Sequence, residues 1–155
     1  MRGDGTLKII LEDMNLDETE IVIRGDVAGD EVASILKLLK GRAEKDKMFL
    51  YKDEEDFIVN ISDIIYFETS NNKVLACTQN DIYETKLKIY ELSQMLYTAG
   101  FSQISKGVIV NINYVKSVQA EFSGNYVAKL KNSKKQLTIS RKYFKDFKNH
   151  IKKEN

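Results

Sequence analysis

Ten short runs of strand-forming residues follow one another from Met48 onward, and small polar turn clusters cut them apart. The runs are 48–52, 57–60, 64–69, 73–78, 81–85, 103–105, 108–110, 115–122, 126–130 and 136–139. Between them stand Asp53-Glu54-Glu55-Asp56, Ser70-Asn71-Asn72, Gln79-Asn80, Ser123-Gly124-Asn125 and Lys131-Asn132-Ser133. Asn, Asp, Ser and Gly favour turns because they tolerate left-handed backbone or bond to it locally. Val115 and Val118, opposite Tyr126, Ala128 and Leu130, have the phase of a half-buried antiparallel hairpin. A chain punctuated this way is restricted to a multi-stranded antiparallel fold, mainly β with short helices.

Two helices are predicted inside this region. Residues 86–97 place Leu87, Tyr90, Leu92, Met95 and Leu96 on one side, and Gly100 stands just past the end. Ser140 can cap a last helix in which Phe144, Phe147 and Ile151 recur at helical spacing. Residues 1–47 have a different pattern. Residues 7–11 and 20–23 are short apolar runs joined by an acidic stretch, which predicts two strands. Asp30 then offers an N-cap to a helix carrying Val32, Ile35, Leu36 and Leu39 as far as Gly41. The expectation is a small β-β-α unit at 1–47, followed by a larger domain at 48–155. So small a unit has little core of its own and needs a surface to pack on, in its own chain or in a second copy.

Composition removes most catalytic chemistry. The eight glycines fall in no phosphate-binding spacing. One His and one Cys cannot build the usual His/Cys zinc sites, and Asp53 to Asp56 lacks the glycine and alternation of a calcium loop. A nucleophile would have to be Cys77 or a Ser, with His150 as the single imidazole base, in the terminal helix beside lysines. Neither a catalytic site, a metal nor a cofactor is expected. Cys77 reads as a small buried residue in a strand. No apolar run reaches the length of about 18 residues that spans a bilayer, and no export signal is visible. The expected location is the cytoplasm.

Charge points to a partner. Residues 1–47 hold 8 basic and 11 acidic side chains, whereas residues 101–155 hold 12 basic and 3 acidic. That local positive field favours a polyanion, although a solvated Lys-rich surface has the same composition. Two segments concentrate the cations on ordered elements. Gln103, Ser105 and Lys106 alternate with Ile104 and end at Gly107, and Arg141 and Lys142 occupy the first turn of the capped helix. Cations at a helix N-terminus oppose the helix dipole by about 0.3–1 kcal/mol, a cost that a nearby phosphate would offset. A neighbouring carboxylate paired with Arg141 would offset it as well. The aromatic residues Tyr83, Tyr90, Tyr97, Phe101, Tyr114, Phe122 and Tyr126 leave a rival open, a single-strand-binding barrel of the OB type, although most fall in core phase. A third class is a protein interaction module without nucleic acid.

Several landmarks resemble the LytTR family of bacterial DNA-binding domains over about two thirds of the chain. They are Ile64-Ile65-Tyr66-Phe67-Glu68 with the polar turn after it, Tyr90-Glu91-Leu92-Ser93, Val110-Asn111 and Ser140-Arg141, in that order. The resemblance implies an elongated β fold whose loops enter two successive major grooves of double-stranded DNA at paired repeat sites. By position, Lys106 and Arg141 would read the two grooves, and Asn72 or Lys73 would reach DNA from the first turn. Where many members carry His-Arg-Ser-Tyr, this chain has Ser105-Lys106-Gly107-Val108, and Gln103 stands where Arg is frequent. Lys106 keeps the charge and loses the bidentate fork. Response regulators of the class begin with a phospho-acceptor domain of roughly 120 residues, for which residues 1–47 leave no room. The resemblance is to small stand-alone LytTR transcriptional regulators, often encoded beside a small integral membrane protein that restrains them. Paired sites also imply a homodimer, with Val32, Ile35 and Leu39 as its anchors.

Overall fold

The computed structural model describes residues 7–44 and 46–154. The chain divides into two compact units, Met1–Lys45 and Asp46–Asn155.

In the first unit, helix α1 spans Asp30–Glu44, with Asp30 and Glu31 in its first turn, where carboxylates complement the helix dipole. The Gly29 carbonyl accepts from the Ala33 N–H at 3.1 Å, so the helix is entered through Gly29 and Asp30 is already inside it. Gly41 does not end the helix. A glycine in mid-helix costs roughly 0.5–1 kcal/mol, a penalty rather than a stop. The two expected strands are absent: residues 7–29 form none, and Ile9, Leu11, Ile21 and Val22 are exposed. An isolated pair of short strands is marginal in water without a third strand or a covering helix. Val32 is buried, Ile35 is half-buried and Leu39 is exposed.

The second unit is built from ten antiparallel strands and two helices. In chain order they are β1 (Lys47–Lys52), β2 (Glu55–Asn60), β3 (Ile64–Ser70), β4 (Lys73–Thr78), β5 (Ile82–Thr85), α2 (Ile89–Met95), β6 (Phe101–Ser105), β7 (Val108–Asn111), β8 (Val115–Ala120), β9 (Tyr126–Leu130), β10 (Gln136–Ile139) and α3 (Arg141–Glu154). Seven strands form one sheet in the order β2-β1-β5-β4-β3-β7-β6, and three form a second in the order β10-β9-β8. Asn71 and Asn72 both take positive φ, 52° and 65°, in the two-residue β3–β4 turn. Type I′ hairpins require that geometry, and asparagine tolerates it better than most residues.

Side-chain alternation buries both faces of the larger sheet. On one face Leu50, Ile64, Phe67, Phe101 and Ile109 pack with Ile89 and Leu92 of α2. Phe67 and Phe101 meet with ring centroids 5.8 Å apart. On the other face Ile65, Ile104 and Val110 pack with Ala128, Leu130, Leu137 and Ile139 of the smaller sheet and with Phe147 of α3. Helix α2 is shorter than its periodicity suggests. Tyr90 and Met95 point to solvent, and Leu92 and Leu96 are buried. A left-handed Gly100 at φ 87° follows a 3-10 turn over Tyr97–Ala99 and turns the chain into β6.

Asn111 carries structural weight. It is buried, its Nδ2 donates to the Ile64 carbonyl at 3.0 Å, and its Oδ1 accepts from the Asn113 N–H at 3.1 Å. The side chain therefore fastens the end of β7 to the start of β3 and shapes the bend beyond. Replacing Asn111 by Ala leaves a buried carbonyl unpaired, and the expected loss is about 1–3 kcal/mol. Urea unfolding checks this: the midpoint should fall at an unchanged m-value.

Candidate nucleic-acid interface

The strand registers carry four connections to one end of the second unit. The β3–β4 turn lies beside the β6–β7 turn, since Glu68 pairs with Val108 and the Thr69 N–H donates to the Gly107 carbonyl at 2.8 Å. The start of α3 is tied to the same place through the Ser140 N–H, which donates to the Ile104 carbonyl at 2.8 Å. The β8–β9 turn joins through Asn125, whose Oδ1 accepts the Arg141 N–H at 3.1 Å. Asn72, Lys73, Gln103, Ser105, Lys106, Arg141 and Lys142, drawn from segments up to 70 residues apart, thus gather at one end.

They are not equivalent in what they offer. Lys106, Arg141 and Lys142 are exposed. Lys73 is exposed, but its Nζ donates to Glu84 at 3.0 Å. That bond raises the Lys73 pKa, and hydrogen bonds from Lys73 and then Tyr51 lower that of the Glu84 carboxyl. Lys73 therefore arrives at any polyanion with a carboxylate already attached. Gln103 folds inward: its Nε2 donates to the carbonyls of Ser105 at 3.0 Å and Lys106 at 3.4 Å. It shapes the β6–β7 turn, where the strand register shifts between Gln103 and Ser105.

Arg141 has a seat that sequence reasoning missed. Among the described residues no carboxylate forms an ion pair with it. Its side chain lies over Gly124, where an added Cβ would stand 3.3 Å from Nη1 and 3.7 Å from Cδ. Gly124 has φ +93°, so the turn conformation and the close approach both favour glycine there. Asn125 supplies the acceptor for the first N–H of α3, one of the donors at a helix start that has no partner within the helix. In sequence, Ser123-Gly124-Asn125 shows only turn chemistry, because nothing local connects it with Arg141.

The aromatic residues divide between core and surface. Phe101 is buried, Tyr83 packs on Phe57 at 5.4 Å, and Tyr126 stacks on Phe144 at 3.5 Å. Tyr114 donates its hydroxyl to the Ser62 carbonyl at 3.2 Å. Tyr90 and Phe122 are exposed, and Tyr97, though partly exposed, stacks on the buried His150 ring at 3.8 Å, so most of the group packs as expected and these exposed rings are the exceptions. Cys77 is buried in β4, and burial pushes its thiol pKa up, so the less reactive protonated form is favoured.

The two-sheet antiparallel fold is that of a LytTr DNA-binding domain, by family and by structure. The family model described as LytTr DNA-binding domain matches residues 54–152, so the chain belongs to the LytTR family. An uncharacterised HTH-type transcriptional regulator of Staphylococcus aureus strain NCTC 8325 / PS 47 is 34% identical over 140 residues, covering 89% of this chain and 94% of that protein. Its counterpart in strain MRSA252 is 33% identical over the same length. A solved LytTr DNA-binding domain from Bacillus cereus superposes with a TM-score of 0.63 at 18% identity, covering 68% of this chain and 96% of that one. The chain is a DNA-binding regulator by family.

Asn125→Ala should cost about 0.5–2 kcal/mol in unfolding free energy, as loss of a helix cap does. Hydrogen exchange offers the local check: the Arg141 amide should lose protection in Asn125→Ala and keep it in Asn125→Asp, which retains an acceptor.

Proposed function

We propose that this protein is a sequence-specific regulator of transcription that inserts its turns into successive major grooves of double-stranded DNA at paired repeat sites. The observation that carries the reading is the meeting of Lys106, Arg141 and Lys142, all exposed, with the Asn71-Asn72 turn at one end of the domain. The helices support loops as readers. Five strands separate α1 from α2 and five more separate α2 from α3, so the described residues offer no helix-turn-helix pair. In this reading Arg141 and Lys106 contact base edges, with Arg141 able to fork onto a guanine. Lys142 and Ser105 contact phosphate, and Asn72 reaches the duplex from its hairpin tip. Lys73 contributes once DNA competes with Glu84, and Gln103 acts by holding the β6–β7 turn.

The protein works in the cytoplasm as a homodimer, restrained by its abundance or by a small integral membrane protein. No helix among the described residues is long and apolar enough to cross a membrane. Two copies on paired sites raise occupancy through effective concentration.

Selection from a random duplex pool, with single-stranded DNA and RNA as competitors, tests the reading. Duplex should win, and affinity should fall steeply with salt. Arg141→Ala should cost about 1–3 kcal/mol on the selected site and flatten the preference at one or two base pairs. Lys142→Ala should weaken all sequences alike and shallow the salt slope. Equal losses on every sequence for Arg141→Ala would reduce it to a phosphate contact.

Sedimentation of the full chain against a chain starting at Lys47 tests the dimer. The full chain should run as a dimer without DNA and the shortened one as a monomer. Two monomers would remove the dimer role from residues 1–47.

A further inference from the structure

The β8–β9 turn carries a side chain that no core accounts for. Phe122 is 113% exposed relative to a reference chain, so no described residue packs over its ring. The turn that holds it is well bonded. The Gly124 N–H donates to the Glu121 carbonyl at 3.1 Å and the Glu121 N–H to the Asn125 carbonyl at 2.9 Å. The Asn125 N–H reaches Ser123 Oγ at 3.3 Å, and Asn125 in turn accepts from Arg141. The ring is thus presented from a braced tip, two residues from the glycine on which the Arg141 side chain lies.

We infer that Phe122 is an apolar base contact, packing on a thymine 5-methyl group in the major groove next to the base reached by Arg141. This rests on the DNA-reading role proposed above. Thymine is the one base that presents a methyl group in the major groove, and a phenyl ring is among the side chains that meet it. The chemistry of the turn favours a base edge over the backbone. Its tip, Glu121-Phe122-Ser123, holds a carboxylate and no cation, so it repels phosphate, while Arg141 and Lys142 beside it attract the duplex. A turn drawn towards DNA by its neighbours and repelled by the backbone is left with the groove floor. The braced backbone adds to specificity, because a turn already held in place loses little backbone freedom on contact.

Single dT→dU replacements in the selected duplex remove one methyl at a time and leave the hydrogen-bonding edge intact. For the wild-type full chain, one replacement beside the position read by Arg141 should weaken binding about fourfold, the worth of one buried methyl group. Phe122→Ala should bind the parent duplex about tenfold more weakly and become indifferent to that replacement, and Phe122→Leu should keep part of both effects. The inference is overturned if wild type ignores every dT→dU replacement, or if Phe122→Ala keeps the wild-type ratio of dT to dU affinity. Unchanged DNA affinity together with altered sedimentation of Phe122→Ala would also overturn it, moving the ring to a protein contact. Arg141→Ala separates the two levels: specific binding sensitive to Arg141 and insensitive to Phe122 defeats this inference alone. A wild-type chain that enriches no duplex defeats the DNA-reading role as well.

Discussion

The hydrogen bond between Ser140 and strand β6 is the link on which the interface end depends. Strand β6, like β3 and β7, belongs to both cores, and it alone of the three bonds the residue before α3. Phe101 at the start of β6 is buried with Phe67 beneath α2, and Ile104 near its end is buried on the opposite face against the smaller sheet and α3. Phe101 and Ile104 stand an odd number of positions apart, so alternation alone puts them on opposite faces, and the register with β7 shifts beside Ile104, between Gln103 and Ser105. The Ile104 carbonyl then accepts from Ser140, which sets where α3 begins. That bond ties the start of α3, and with it Arg141, to the larger sheet. Gln103 stabilises that irregular stretch by bonding two carbonyls of its own turn.

The interface end is assembled from turns whose backbone requirements and binding chemistry call for the same residues. Asn71 and Asn72 satisfy a left-handed hairpin turn and also carry amide donors and acceptors of the kind that pair with an adenine edge. Gly124 satisfies a positive φ and at the same time clears space for a guanidinium. Electrostatics at this end are graded. Lys73 is held by Glu84, and Arg141 is braced through its own backbone with its charge left available.

The family landmarks turn out to be of two kinds. Val110 and Asn111 are buried, and Asn111 serves as a polar fastener between β7 and β3, so that landmark preserves the fold. The stretch from Ile64 to Phe67 does likewise, filling both cores in turn. Ser140-Arg141 is different, since its backbone joins the two sheets while its side chain faces out. The HTH label carried by the Staphylococcus aureus relatives has no counterpart in a helix pair of this chain, where strands intervene between all the helices described.

Alternation and turn residues were enough, by themselves, to predict the antiparallel strands from Met48, because strand period and turn propensity are local properties of the chain. The basic last third was legible for the same reason, being a matter of composition. Tertiary structure decided whatever required distant segments to meet. Residues 7–11 and 20–23 look like strands, yet strand formation needs a partner, and among the described residues they have none. Tyr90 and Phe122 carry apolar rings, but burial depends on what stands opposite. The role of Gly124 and Asn125 in seating Arg141 spans 16 residues and a change of element, so no local pattern could announce it. What brought Asn72, Lys106 and Arg141 to one end was strand register, which is set by the packing of two cores at once.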